Sequence, residues 1–547
     1  MRSSIGPAAG RRYETWRDEP AGANSGRDAM AKAVIGIDIG TTGTKTGIYD
    51  ETGKLLGSAF EESVLIYPKL GWVEQRPDDI EGSVHRTIRA AMETGGVNPS
   101  DVVAIALDGQ MGGVCTIDAD WNAPTHYDSW LDNRCAAYLP RLKQRGMEIL
   151  RASGCAPSYN HGPKILYWKH EFPEIWSRVR AFVQPAAYVA GRLAGLKGDD
   201  AFMDRTYLNF STFADTANCR WNENLLADFG LDTARLPRIV EPWDVVGRLT
   251  HAAAEATGLR QGTPIAAGCG DQAANVLGGG IVEPGMIYDA AGTASVFSIV
   301  LDTFATDTTY QALMTCPHVV PGLYYAMAYV AGGGLNLRWF RDAICHAEKA
   351  GWESEGRNPY DELGRLAEAA PPGADKLIFL PHLGGRNTPN NTDMRGAFIG
   401  LTWRHEKSHM VRAVMESIGY EYLLYLRSVK TLAPDLVPTR ITGIGGGARS
   451  QTFRQIKADI LGLGYGRLDR DEFGTLGSAI VAGKAVGLFD DIAATARSFV
   501  KTVGDPIHAD GANTAFYRDY AAYYADMLEE SAGFFARLSA LGQPAPA

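Results

Sequence analysis

The feature that most constrains this chain is a pattern that occurs twice: a short apolar strand, a turn of glycine and threonine, and a returning strand. Ala33–Ile39 (AVIGIDI) is a β-branched run of the kind that forms a buried strand. Gly40-Thr41-Thr42-Gly43 is a tight polar turn, and Lys45–Tyr49 resumes as strand. Glu51-Thr52-Gly53-Lys54 makes a second turn, and Leu55–Phe60 a third strand. Met286–Ser298 restarts the same pattern around Ala291-Gly292-Thr293. A chain that begins twice in this way has two halves, divided near residue 285. Its 547 residues give room for two to four domains, at roughly 150 residues per domain.

Glycine composition fits the pattern. There are 62 glycines, over a tenth of the chain, against a usual share of roughly 7%. Their spacing is too irregular for collagen, so they belong in turns and where backbone approaches a ligand closely. Acids outnumber bases 63 to 53, for a net charge of −10. Nucleic-acid binding is disfavoured, because phosphate neutralisation needs clustered Lys and Arg. The seven cysteines form no CxxC pair, which excludes a disulfide framework or zinc site and fits a reducing cytoplasm. No apolar run approaches about 18 residues, so no membrane span is expected. Residues 1–29 hold five arginines and four acids without an apolar segment. They read as a flexible extension ahead of Met30, not a secretory signal.

Between the strands lie helical stretches. Residues 79–93 read as helix, and Val102–Leu107 as a buried strand ending in Asp108-Gly109-Gln110. Pro264–Ala267 leads into Gly268-Cys269-Gly270-Asp271. Val411, Val414, Met415 and Ile418 make one helical face. Thr439–Ile444 is strand-like and runs into Gly445-Gly446-Gly447-Ala448. Ser450 caps a following helix whose inner face is Phe453, Ile456 and Ile460. Residues 515–537 form a last helix. Short strands alternating with helices specify an α/β chain.

Three constellations carry chemistry. In Asp38–Lys45 (DIGTTGTK), small residues let backbone amides and threonine hydroxyls meet phosphate oxygens. Asp38 at the strand end can hold Mg²⁺, directly or through water, and Lys45 can offer its ammonium to phosphates. A plain structural hairpin explains the motif equally well on its own. In Gly270-Asp271-Gln272 the carboxylate can take a proton from a hydroxyl, which is all the covalent help phosphoryl transfer needs. A helix-capping Asp is the alternative. Gly445-Gly446-Gly447 clears side chains so that a base and ribose can lie on backbone, as an ordinary loop also would. The strict GxGxxG fingerprint and the Walker A pattern are both absent.

In this order the motifs resemble the FGGY family of carbohydrate kinases, in the superfamily of sugar kinases, Hsp70 and actin. The resemblance runs from about Ala33 to about residue 500. Gly71-Trp72-Val73-Glu74-Gln75 is similar to the family's GWxEQ loop, Trp130–Arg134 (WLDNR) to its WxDxR, and Lys164–Trp168 (KILYW) to its KxxxW. Gly396–Leu401, with His409, Ala413 and Glu416, resembles the second family signature. Glu472–Ala485 resembles the glycine-bearing segment after the adenosine motif.

The resemblance implies an α/β fold of two ribonuclease H-like (actin-like ATPase) domains with a cleft between them. Residues 30–285 would bind sugar and phosphate, and residues 286–547 adenosine. Asp271 would be the general base and Gln272 a sugar contact. Gln110, Met111, Trp130 and Asp132 would line the sugar pocket. Asp38 would organise Mg²⁺. Thr41, Thr42, Lys45, Gly292 and Thr293 would hold ATP phosphates, while Gly446, Gly447 and Ala448 receive adenosine. The partners expected are a small sugar or polyol and, at most, a second copy of the chain in a homodimer, with neither nucleic acid nor membrane.

Departures bear on the substrate. Xylulose kinases usually show Gln-Met-His where this chain has Gln110-Met111-Gly112-Gly113, and glycerol kinases Gln-Arg-Glu. The common Pro-Tyr-Leu-x-Gly-Glu-Arg is here Pro381-His382-Leu383-Gly384-Gly385-Arg386-Asn387. The implied substrate is a ketopentose such as xylulose or ribulose. The alternatives are another polyol or sugar acid (erythritol, gluconate), or an actin- or Hsp70-like nucleotide switch without sugar chemistry.

Overall fold

The computed structural model describes residues 32–470 and 472–541; the extension 1–29 and Met30 lie outside the described residues. The predicted opening meander is present. Strands β1 (Ala33–Ile39), β2 (Gly43–Asp50) and β3 (Leu55–Glu62) run antiparallel in sequence. Helix α1 (Pro77–Gly95) starts with Pro77 at its first position and Asp78 and Asp79 in its first turn, where fixed φ and negative charge suit an N-terminus. Strand β4 (Val102–Gly109) returns parallel to β1. It runs two residues past the expected Leu107, because the ladder continues to Gly109 opposite Ile39.

Helices α2 (His161–Glu171) and α3 (Pro185–Ala194) follow. Then come β5 (Val245–Arg248), β6 (Pro264–Ala266) and α4 (Asp271–Gly278). The first sheet is ordered β5-β6-β4-β1-β2-β3.

The second half repeats the plan. Strands β7 (Met286–Ala291), β8 (Ser295–Leu301), β9 (Met314–Pro317) and β10 (Tyr324–Val330) are antiparallel neighbours in the order β9-β10-β8-β7. After helix α5 (Lys407–Leu432), β11 (Arg440–Ile444) pairs parallel to β7. Helix α6 (Gln451–Leu461) leads to β12 (Tyr465–Arg467) on the outer edge of β11. In both sheets, then, an antiparallel set, of three strands in the first and four in the second, joins two parallel strands through its first member. This doubled architecture is the two-domain, actin-like ATPase fold that the resemblance to FGGY kinases implies.

Side-chain alternation assigns the layers. In β1, Ile35, Ile37 and Ile39 pack towards α1 and α3, and Val34 faces the opposite side. In β7, Ile287 joins the core under α5, α6 and α8 (Gly511–Ala540), whereas Met286 and Tyr288 face away from it. The two remaining sheet faces meet in a third core containing Tyr49, Ala274, Tyr288, Tyr325 and Leu476. The lobes are thus fused at their base by apolar packing.

Helix α7 (Gly474–Ala485) changes the picture of the division near 285. It lies beyond that point in sequence, yet it covers β1, β4 and α4 of the first lobe. Close approach explains its glycines. A Cβ on Gly477 would stand 2.0 Å from the Ala274 carbonyl, and one on Gly36 only 1.8 Å from that of Thr475. The split at residue 285 therefore separates the two meanders but not the two lobes.

Candidate active site

Asp271 is placed by strand pairing. Cys269 and Gly270 add to the end of β4, opposite Asp108 and Gly109, and α4 begins at the next residue. The Gly270 amide donates to Thr206 Oγ1 at 2.8 Å, and the Gln272 amide donates to Asp271 Oδ1 at 2.6 Å. Burial, reinforced by the nearby Asp38 carboxylate, pushes the Asp271 carboxyl up to about 7.

Asp38 sits on β1 opposite Asp108 of β4. Burial lifts Asp38 to about 6 against the pull of Lys45, with Glu472 adding to the rise. Burial and then Asp38 raise Asp108 well above the ordinary carboxyl range. Ser478 of α7 donates to Asp108 Oδ2 at 2.6 Å. Lys45, opposite Asp38 across the β1–β2 hairpin, donates to both Glu472 oxygens at 2.9 and 3.0 Å. Four carboxyl groups, those of Asp38, Asp108, Asp271 and Glu472, and one ammonium thus converge at the first turn.

Thr41 ties this turn to Gln110 and Trp130. Its hydroxyl accepts from Trp130 Nε1 at 2.7 Å and donates to Gln110 Oε1 at 3.2 Å. The Gln110 amide nitrogen donates to Gln75 Oε1 at 2.9 Å and to the Gly40 carbonyl at 3.3 Å. With 1% of its surface exposed, Gln110 is a brace between loops and not an open sugar contact. Trp130, by contrast, is 41% exposed. Met111 lies against Gly270, whose Cβ would fall 2.5 Å from the Met111 methyl carbon. Gln272 is half-buried beside Asp271, Thr42 is exposed, and Thr41 is half-buried.

Asp132 departs from expectation. It is fully buried. Oδ2 accepts from the Val73 amide and Arg134 Nη2, and Oδ1 from the Arg134 amide and Nε. One bond holds the GWxEQ loop at Val73 and three hold Arg134, so no acceptor position of Asp132 is left for a sugar hydroxyl.

In the second lobe, Gly292 and Thr293 are exposed at the turn. Gly445 takes φ +79°, which brings the triple glycine beside this turn. A Cβ on Gly447 would meet Ala291 Cβ at 2.8 Å, whereas one on Gly446 would meet nothing within 4 Å. Gly446 therefore borders open space and Gly447 is a packing contact. Ala448 is also corrected: it is 1% exposed and its amide donates to the Gly445 carbonyl at 3.1 Å, so it supports the loop from behind. Ser450 caps α6 as expected, accepting from the Phe453 amide.

Three residues escaped sequence reasoning. Asp108 ends a strand beside Gln110, and an acid in a buried strand was the available signal. Glu472 opens the glycine-bearing segment. Asn160 occupies the N-cap of α2 but makes no capping bond. Its Oδ1 instead lies 3.6 Å from where a Gly112 Cβ would be, with Trp130 Cβ 3.1 Å from the same point. Asn160 thus faces the place that the missing loop histidine leaves open.

Comparison with known proteins places the chain in a family. The family model "FGGY family of carbohydrate kinases, N-terminal domain" matches residues 33–278, and the corresponding C-terminal domain model matches residues 290–486. A xylulose kinase of Staphylococcus epidermidis is 27% identical over 504 residues, covering 92% of this chain and 97% of its own. A gluconokinase of Bacillus subtilis is 28% identical over 472 residues, covering 84% and 89%. Among solved structures, a ligand-bound xylulose kinase from Lactobacillus acidophilus superposes with a TM-score of 0.83 at 25% identity, over 93% of this chain and 100% of that one. With both halves matched by kinase models, the nucleotide-switch alternative falls away. This chain belongs to the FGGY family of carbohydrate kinases.

Proposed function

We propose that the protein transfers the terminal phosphoryl group of ATP to a hydroxyl of a neutral ketopentose such as xylulose or ribulose, with Asp271 as general base. The observation that carries this reading is the Asp271 carboxyl itself. It opens a helix beside the sugar loop and is held near neutrality, where a base both accepts a proton readily and is substantially ionised. As the sugar oxygen bonds to phosphorus and the bond to ADP breaks, the hydroxyl proton passes to Asp271. Charge stabilisation falls to amides and hydroxyls of the two turns.

Nucleotide and metal fit the residues present. Gly446 offers backbone bordered by open space, and Gly292 and Thr293 lie exposed beside it. Asp38 supplies the hard oxygen donor that Mg²⁺ prefers. Mg²⁺ bound there would neutralise phosphate charge.

The preference for a neutral sugar follows from charge. The two cations buried behind the sugar loop are committed. Lys164 donates to the Ser129 and Asp132 carbonyls, and Arg134 pairs with Glu74, Asp128 and Asp132. A sugar carboxylate would meet Asp271 and Asp38 instead. Gluconate is the second reading, favoured by the similarity to gluconokinase. The seven thiols are all unpaired, six of them buried, in keeping with a reducing cytoplasm. Among the described residues no helix is long and apolar enough to cross a membrane.

A coupled ADP-release assay with D-xylulose, D-ribulose, erythritol and gluconate tests the reading. Ketopentose-dependent ADP release is expected. Sugar-indifferent ATP hydrolysis would overturn it, and turnover with gluconate alone would replace the substrate class.

A further inference from the structure

We propose that a single water, held between His161 and Gln184, fixes the sugar loop from behind, and that His161 is a positioning residue for sugar binding. The inference rests on the reading of Gln110–Gly113 as the loop that borders the sugar.

The geometry starts at the Met111 carbonyl, 2.6 Å from His161 Nε2. A carbonyl only accepts, so Nε2 carries the proton and Nδ1 is left as an acceptor. Nδ1 is buried and meets no protein donor. Burial holds the imidazole well below its usual range, at about 4, so the ring is neutral near pH 7.

Behind it lies a small cavity lined by His161, Gln184 and Ser211, with Ile165, Phe182 and Met203 as apolar wall. Gln184 is 1% exposed, and neither its amide nitrogen nor its amide oxygen meets a protein partner. It stands at the N-cap of α3 yet makes no capping bond with its side chain. Ser211 is already engaged, donating to the Leu208 carbonyl and accepting from the Ala214 amide. Three buried polar atoms on two side chains therefore border one cavity.

The cavity measures about 10 Å³, room for a single water. A water there donates to His161 Nδ1 and accepts from Gln184 Nε2, relieving groups that are costly to bury unpaired. The His161 ring is then held at both nitrogens. Its Nε2–H holds Met111, whose side chain lies on Gly270, next to Asp271. The line of contact runs from the cavity to the floor of the sugar site without touching the nucleotide turns.

The test has a crystallographic and a kinetic arm on the full chain. A crystal structure fine enough to show ordered solvent should place one water within hydrogen-bonding distance of both His161 Nδ1 and the Gln184 carboxamide. A dry cavity would overturn the proposal, whatever the substrate proves to be. Kinetically, His161→Phe should raise the sugar KM about tenfold, the worth of one hydrogen bond, with the ATP KM unchanged. His161→Gln, which keeps a donor near Met111, should recover most of that loss. Equal changes in both KM values, or an unchanged sugar KM, would refute the positioning role. If His161→Phe does not fold, Gln184→Leu should raise the sugar KM in the same selective way. Failure of the wild type to phosphorylate any sugar would count against the functional reading, and the density would still decide the water.

Discussion

The two Gly-Thr turns are built on copies of one strand–turn–strand unit, yet the acids beside them end in opposite environments. Asp38 lies two residues before Gly40 and Asp289 three before Gly292. Successive strand side chains alternate between faces, so this shift of one residue sends them to opposite sides of their sheets. Asp38 joins Asp108 and Asp271 at the turn, where burial raises all three carboxyl groups, helped by Glu472 at Asp38 and by Asp38 at the other two. Asp289 points into the core under α5 and α6. There Tyr422 donates at 2.7 Å, Tyr465 at 2.6 Å, and Lys457 completes a buried ion pair. A fold thus shows where its chemistry sits by which acids it leaves short of partners.

The largest expected break between the lobes is catalytic. Asp271→Asn should lower kcat by roughly 10²–10⁴-fold while ATP affinity is retained. Steady-state rates with an ATP titration check this; near-wild-type turnover would remove Asp271 as the base. In the wild type, kcat/KM should climb with pH through about 7, since the base must be ionised. Stability should run the other way. A carboxyl raised on folding stabilises fully below its unfolded value, near 4, and loses that contribution as pH rises through about 7. The Asn variant should therefore gain Tm over the wild type at pH 8, with the gain shrinking towards pH 4.

The counterpart in the second lobe is Asp289→Ala. It strands Lys457, which is 1% exposed, and should cost about 3–5 kcal/mol. Calorimetry should show Tm lower by on the order of 10 °C, with kcat of the folded protein within about threefold of wild type. A catalytic loss without a stability loss would erase the contrast.

Next in size is a pair of glycines. Gly446→Val should weaken ATP binding about tenfold with little change in Tm, because its Cβ enters open space. Gly447→Val should lower Tm, because its Cβ meets Ala291. Calorimetric titration with ATP and thermal melts distinguish the two; equal effects on binding would mean that Gly446 does not border the nucleotide.

Much of this contrast was legible in the sequence. Local signals carried the two meanders, the Ser450 cap and the loop that presents Asp271, because β-branched runs and Gly-Thr turns dictate nearby backbone. What escaped depends on distant partners. Nothing around Asp132 announces that Arg134 and Val73 consume its oxygens, since a WxDxR motif looks the same whether its acid faces sugar or core. Gln110 reads as a pocket residue until Thr41 and Gln75 engage both ends of its amide. Helix α7 is equally opaque: its small residues fit any close packing, and only the assembled first sheet shows which surface they fit.

The smallest effect concerns Lys45, whose partner Glu472 lies 427 positions away in sequence. Both side chains are substantially exposed, 38% and 46%, so the pair contributes at most about 1 kcal/mol to stability. Its interest lies in charge at the first turn. Glu472 holds the ammonium expected to meet phosphate, and it also adds to the rise of the Asp38 carboxyl. Glu472→Gln removes a negative charge from the proposed phosphate site and leaves Lys45 free to turn. The ATP KM should fall two- to fivefold, with Tm unchanged within about 2 °C and the sugar KM unaffected. A rise in ATP KM would mean that Glu472 aims the ammonium at the phosphates, making the bridge part of the nucleotide site and not a brake on it. Repeating the measurement at 0.5 M salt separates the cases, because a purely electrostatic gain at an exposed pair shrinks with screening while an aiming role persists.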